Sequence, residues 1–252
     1  VVIDSDGNIL VADTANHRIR KINTDGQVTT IAGNGVGGYC DGESAHSQFT
    51  NPFDVCVDSE GAMYVTDASN HRIRRITRDG KVSTLAGNGQ GRHLDGNGAA
   101  ACFNFPTGVA VDASGSLIVA DHYNHRIRKI AVDGQVTTVA GSGQDGFQDG
   151  DGNLALFRYP YSLAIDDEGS IFVTDQLNSR IRKIKVNLSF GNATTFGASS
   201  TDVTKSPTSA SASAASKSKS KSRVVKLAFG DALVGSSSTD SFVGDTVTTT
   251  DV

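Results

Sequence analysis

Apolar positions fall in short runs of four to six residues along the first 186 positions, each bounded by Gly, Asp or Asn. Gly108-Val-Ala-Val-Asp112 predicts one strand and Leu117-Ile-Val-Ala-Asp121 a second, with Ser114-Gly115 as the turn between them. In His125-Arg-Ile-Arg-Lys-Ile130 Ile and polar residues alternate, which predicts a third strand. Asp133-Gly134 then gives a hairpin signal before a fourth strand, Gln135-Val-Thr-Thr-Val-Ala140. No stretch of useful length spaces its apolar residues as a helix would.

This unit recurs every 54 residues without insertion or deletion. Asp13-x-x-Asn16-His17-Arg18-Ile19-Arg20 returns at Asp67 to Arg74 and at Asp121 to Arg128. In the fourth copy, Asp175 to Arg182, Ser179 stands in place of His. Gly33, Gly87 and Gly141 keep the same register, as do Phe49, Phe103 and Phe157. Residues shared by every copy serve the unit itself, which predicts structural roles for Asp13, Asn16, Arg18, Asp67, Asn70, Arg72, Asp121, Asn124, Arg126, Asp175, Asn178 and Arg180. The two Arg residues of each third strand share a face, and the neighbouring Asp predicts repeated Arg–carboxylate pairing. Four antiparallel strands with tight turns at this period mark a blade of a β-propeller, so the fold class is all-β. The blades are expected at about 1–33, 52–87, 106–141 and 160–197.

The segments P-x-G-V-A-V-D at 106–112, V-A-D-x-x-N-H-R-I-R-K-I at 119–130 and V-T-T-V-A-G at 136–141 resemble the NHL repeat family, with Arg where the signature has Leu. The resemblance covers roughly residues 1–186 and implies a propeller, typically six-bladed, of which four blades are visible here. Val1-Val-Ile-Asp4 aligns with Val55-Cys-Val-Asp58, so the first blade opens inside its first strand and the chain is expected to be a piece of a longer protein. Beyond Lys185 the composition changes: 25 of the 66 residues from 187 to 252 are Ser or Thr. Asn192-Ala-Thr-Thr-Phe-Gly197 reads as a worn fourth strand, which extends the propeller to residue 197. Residues 198–223 read as a flexible Ser/Ala/Lys-rich linker, and 224–252 as a Ser/Thr-rich tail with a candidate lone strand, Val224 to Phe229.

Charge and chemistry narrow the function. The chain carries 23 basic and 27 acidic residues, net −4, and residues 1–186 hold 17 against 22. That balance argues against nucleic acid, although the resemblance to RNA-binding NHL proteins makes an RNA-binding module the second alternative. No run of 18 apolar residues exists to span a membrane. Cys40, Cys56 and Cys102 are too few for a disulfide framework. His17, His71 and His125 stand on separate blades, too far apart to share a zinc ion, and are assigned to turns. Asp149-Gly-Asp151-Gly-Asn153 begins like a calcium loop but has Leu154 and Pro160 at its sixth and twelfth positions. The first alternative is a propeller enzyme with a channel metal, since propellers distantly resembling NHL proteins include amidating lyases and lactonases. Their metal ligands come from first strands around the channel, whereas the first-strand interiors here are Val, Ala, Cys and Leu. Neither catalytic residue, metal nor cofactor is predicted.

The second-to-third-strand turns and the long loops between blades leave a propeller by one face. There the copies differ: Thr14-Ala15, Ala68-Ser69, His122-Tyr123 and Gln176-Leu177 occupy one turn. Tyr39, His93 and Phe147 share one loop position, and Arg92 adds charge beside it. Tyr39, Arg92, His93, Tyr123 and Phe147 are therefore the candidate partner-binding residues, against the plainer reading that the rings pack beneath their own loops. The expected function is a non-enzymatic binding scaffold for a protein partner. Neither compartment nor oligomeric state is legible.

Overall fold

The computed structural model describes residues 1–186 and 196–200. Blade 1 holds β1 (Val2–Ile3), β2 (Ile9–Asp13), β3 (Arg18–Ile22) and β4 (Val28–Ala32). Blade 2 holds β5 (Gly42–Glu43), β6 (Pro52–Val57), β7 (Met63–Asp67), β8 (Arg72–Ile76) and β9 (Lys81–Ala86). Blade 3 holds β10 (Gly96–Asn97), β11 (Pro106–Val111), β12 (Leu117–Asp121), β13 (Arg126–Ile130) and β14 (Gln135–Ala140). Blade 4 holds β15 (Gly150–Asp151), β16 (Pro160–Ile165), β17 (Ile171–Asp175), β18 (Arg180–Val186) and β19 (Phe196–Ser200).

Each blade is the expected antiparallel meander of four strands, and the sheets form a β-propeller. Blades 2 to 4 add a fifth strand that the periodicity does not announce. A two-residue piece of the long loop pairs outside the next blade's last strand: Gly42 with Val82, Gly96 with Val136, Gly150 with Ala198. It covers a row of backbone groups that would otherwise form an open edge. The first strands lie side by side, β11 between β6 and β16, so the blades follow one another in chain order around the axis.

The core sits between the blades, because alternation along a strand sends successive side chains to opposite neighbours. Leu117 and Val119 pack toward blade 2 with Cys56 and Ile73. Ile118 and Ala120 pack toward blade 4 with Leu163 and Val173. A middle strand is thus apolar on both faces, which is why Leu117–Asp121 is buried throughout.

Blade 4 departs from the period. Strictly repeated, its last strand would occupy 189–194; instead β19 pairs Phe196 with Val186 and Ser200 with Arg182. The expected tract 192–197 overlaps it only at Phe196 and Gly197, and the rest of that tract lies outside the described residues. So do 201–223 of the expected linker and the whole tail 224–252. Among the described residues, no helix is long and apolar enough to cross a membrane.

Candidate functional site

In blades 2 to 4 the second Arg of the repeat is the largest polar group inside the molecule. Arg74, Arg128 and Arg182 are fully buried. The Arg74 Nη1 donates to Asp67 Oδ2 at 2.7 Å and to the Gln48 carbonyl at 2.9 Å. Its Nη2 donates to Asp41 Oδ1 at 2.5 Å and to the Cys40 carbonyl at 2.8 Å. Arg128 repeats this with Asp121, Asp95 and the carbonyls of Cys102 and Leu94. Arg182 does so with Asp175, Asp149 and the carbonyls of Leu156 and Gln148. One guanidinium thereby ties a strand end to the loop arriving from the preceding blade, using the planar fork that Lys lacks. Burial pushes the Asp67 and Asp121 carboxyls up, opposed by the Arg beside each. The first Arg behaves differently from expectation: Arg18, Arg72 and Arg126 donate to the carbonyls of Asn34, Asn88 and Ser142, and Arg180 to that of Asn178. Carboxylate pairing thus belongs to one Arg of the two. Asn16, Asn70, Asn124 and Asn178 donate to the carboxylates of Asp13, Asp67, Asp121 and Asp175.

The repeated His residues join blades. Each closes a short 3-10 turn in the left-handed region, at φ 54° for His17 and His71 and 55° for His125. The backbone N–H of Asn51, Phe105 and Tyr159 in the following blade donates to the Nδ1 of His17, His71 and His125 at 3.2, 3.0 and 3.2 Å. Nδ1 must be unprotonated to accept, and burial holds His71 and His125 below the usual imidazole range. Among the described residues, no group of three His, Cys, Asp or Glu side chains is placed to hold a metal ion.

The candidate partner residues separate into two places. Tyr39 lies over the Arg72 guanidinium at 3.9 Å and Arg74 at 4.9 Å, and Phe147 over Arg180 at 4.0 Å and Arg182 at 4.8 Å. The repeat's Phe also lies against the buried guanidinium, Phe49 5.0 Å from Arg74 and Phe157 4.7 Å from Arg182. One face of each loop ring is spent on its Arg stack, yet Tyr39 and Phe147 remain 45% and 41% exposed. His93 contacts Thr138 Oγ1 at 3.1 Å in place of a stack. Arg92 is exposed and donates to Gln90 Oε1, while its carbonyl accepts from Asn124. Tyr123 belongs elsewhere, at the inner end of the same face.

There, rings from three blades meet. Phe53 and Tyr161 stand edge to face at 5.0 Å between centroids, Tyr161 lies 5.8 Å from His122, and His122 lies 5.2 Å from Tyr159 and 4.9 Å from Tyr123. Phe105 completes the group 5.1 Å from Tyr123. The strand starts β6, β11 and β16 and the His122–Asn124 turn bring these rings together.

The 54-residue register is also that of the family match. The NHL repeat model matches residues 1–22, 49–76 and 103–130. This is an NHL-repeat β-propeller. The chain is 31% identical over 205 residues to NHL repeat-containing protein 2 of Homo sapiens, covering 71% of this chain and 28% of that protein. It is 29% identical over 251 residues to Protein SUPPRESSOR OF QUENCHING 1, chloroplastic, of Arabidopsis thaliana, covering 71% and 24%. A probable peptidyl-alpha-hydroxyglycine alpha-amidating lyase of Caenorhabditis elegans is 30% identical over 148 residues, 58% of this chain and 40% of that one. The NHL chain therefore spans about a quarter of the length of the first two relatives. Among solved structures, a protein of unknown function from Bacteroides thetaiotaomicron superposes with a TM-score of 0.61 at 22% identity, covering 78% of this chain and 46% of that one, which speaks to fold alone.

Sequence reasoning missed two parts of the NHL face. Asp41, Asp95 and Asp149 are the loop halves of the Arg clamps, a role the sequence reading did not assign; their constant register with Arg74, Arg128 and Arg182, 33 residues downstream, was the available signal. Phe53, Phe105, Tyr159 and Tyr161 went unmarked because each is unremarkable within its own repeat.

Proposed function

We propose that this NHL propeller is a non-enzymatic binding module whose protein partner docks on the long-loop face. The observation that carries the reading is the placement of Tyr39 and Phe147: each ring lies against two guanidinium groups, one of them fully buried, and still presents more than two-fifths of its surface. Rings held in this way lose little side-chain freedom on binding, which favours aromatic anchors at interfaces. Arg92 and His93 lie on the same loop between them in the chain and supply the polar margin. The amidating-lyase relative makes turnover the reading to test against. The experiment is affinity capture with the wild-type chain and with Tyr39, His93 and Phe147 all changed to Ala, at low and high salt. A partner recovered by the wild type and lost with the triple variant supports the proposal. Equal recovery discards the anchors, RNA recovery that falls steeply with salt favours a nucleic-acid module, and metal-dependent cleavage of an α-hydroxyglycine peptide or a lactone favours an enzyme.

A further inference from the structure

We infer that the ring cluster at the inner end of the long-loop face is a binding site for a neutral, polyhydroxylated ligand, a saccharide ring or short glycan. His122 is only 8% exposed, packed by Phe105, Tyr123, Tyr159 and Tyr161. Its Nδ1 meets the Pro160 carbonyl at 3.1 Å, and because a carbonyl only accepts, Nδ1 carries the proton. Burial holds the ring below the usual imidazole range, so it is neutral and Nε2 keeps a lone pair. That Nε2 has no hydrogen-bond partner among the described residues and is not sealed from solvent. The hydroxyls of Tyr123, Tyr159 and Tyr161 likewise have no partner among the described residues. A largely buried ring whose solvent-reaching Nε2 is unpaired, in a cluster whose three tyrosines carry unpaired hydroxyls, offers an acceptor and donors to a ligand that itself both donates and accepts.

Chemistry selects the ligand class. Arg158, next to Tyr159 in the chain, is exposed and lies 3.8 Å from Asp145, so it is not reserved for a phosphate or carboxylate. A proline-rich peptide could lie on the rings, but a proline has no N–H to give Nε2. Sugar hydroxyls donate to the imidazole and accept from the tyrosines, while the C–H faces of the ring pack flat on the aromatic surface. Corresponding turn positions in blades 1 and 2 are Thr14-Ala15 and Ala68-Ser69, so the cluster belongs to one sector of the propeller and not to the repeat. This site goes beyond the protein-docking proposal and shares only Tyr123 with its candidate residues, so either can fail alone.

The chain has no Trp and only 5 Tyr, three of them here, so tyrosine emission reports on this site. Titration of the full chain with cellohexaose, maltohexaose and mannohexaose is expected to give a saturable emission change with at least one of them. Tyr123→Ala, at an exposed position, is expected to weaken that binding by about tenfold, and His122→Phe, which keeps a ring and removes the acceptor, by a similar factor. Thermal unfolding of both variants checks that they fold; Tyr123→Ala decides if His122→Phe does not. The inference is overturned by no saturable change with any of the three sugars, by equal affinity of wild type and Tyr123→Ala, or by Tyr123-dependent binding only to a proline decamer or only to sulfated glycans.

Discussion

His71 sits in the left-handed region at φ 54° and accepts the Phe105 N–H of the next blade on Nδ1 at 3.0 Å. Protonation removes that acceptor, and burial lowers the pKa of His71 and His125 below their ordinary 6.5. The unfolded chain therefore binds protons more readily than the folded one in this range, and stability rises with pH there. The contribution is fully present above about pH 6.5 and is lost as pH falls through the lowered folded-state values. A series of thermal unfolding curves from pH 7.5 down to 5 is expected to show the fall. His71→Asn with His125→Asn is expected to flatten it, since Asn places an oxygen near the Nδ1 position, tolerates positive φ and does not titrate. Gly87 is a second single-residue constraint: at φ 97°, an added Cβ would stand 2.5 Å from the His71 carbonyl oxygen. Gly87→Ala should cost about 1–3 kcal/mol in urea denaturation. The glycines repeated at this position were readable as markers of the period. The backbone approach that demands them was not, because it depends on how the end of β9 meets the preceding turn.

Between elements, the Arg clamp does what local propensity cannot. Each long loop would otherwise be held by a two-residue strand and a few backbone bonds. Arg128 instead joins β12, β13 and the 94–102 loop through two carboxylates and two carbonyls. Arg128→Met leaves Asp121 buried without its counter-charge and is expected to cost about 3–5 kcal/mol, read as a drop in urea midpoint. Arg20 is the internal comparison. Among the described residues its ion-pair partner is Asp13 alone, at 3.5 Å, with 30% of its side chain exposed, so Arg20→Met should cost less than about 1 kcal/mol. Comparable losses for the two would show that the loop carboxylate contributes nothing. Strand positions and Arg–Asp pairing within a repeat were legible, since Asp13 to Arg20 is a local pattern. The pairing of Arg74 with Asp41 spans two blades, and no local pattern states it.

Across the whole molecule, the propeller sorts its turns onto two faces, and the proposed functions lie on one. Charge reversal on the other face, Arg78→Glu with Asp133→Lys, is expected to leave both partner capture and sugar-induced tyrosine emission unchanged. A loss of either with those variants would move the site. The 54-residue period, the four-strand unit and the blade order followed from the sequence alone, because each rests on alternation, turn chemistry and register repeated along the chain. The fifth edge strand, the shifted last strand of blade 4, the division of labour between the two Arg residues and the ring cluster were decided only in the tertiary structure. Each depends on neighbouring blades closing around an axis, which brings together residues 30 or more positions apart, such as Phe53 with Phe105 and His122 with Tyr159. A periodic sequence states what every blade shares; the singular features arise where the blades meet.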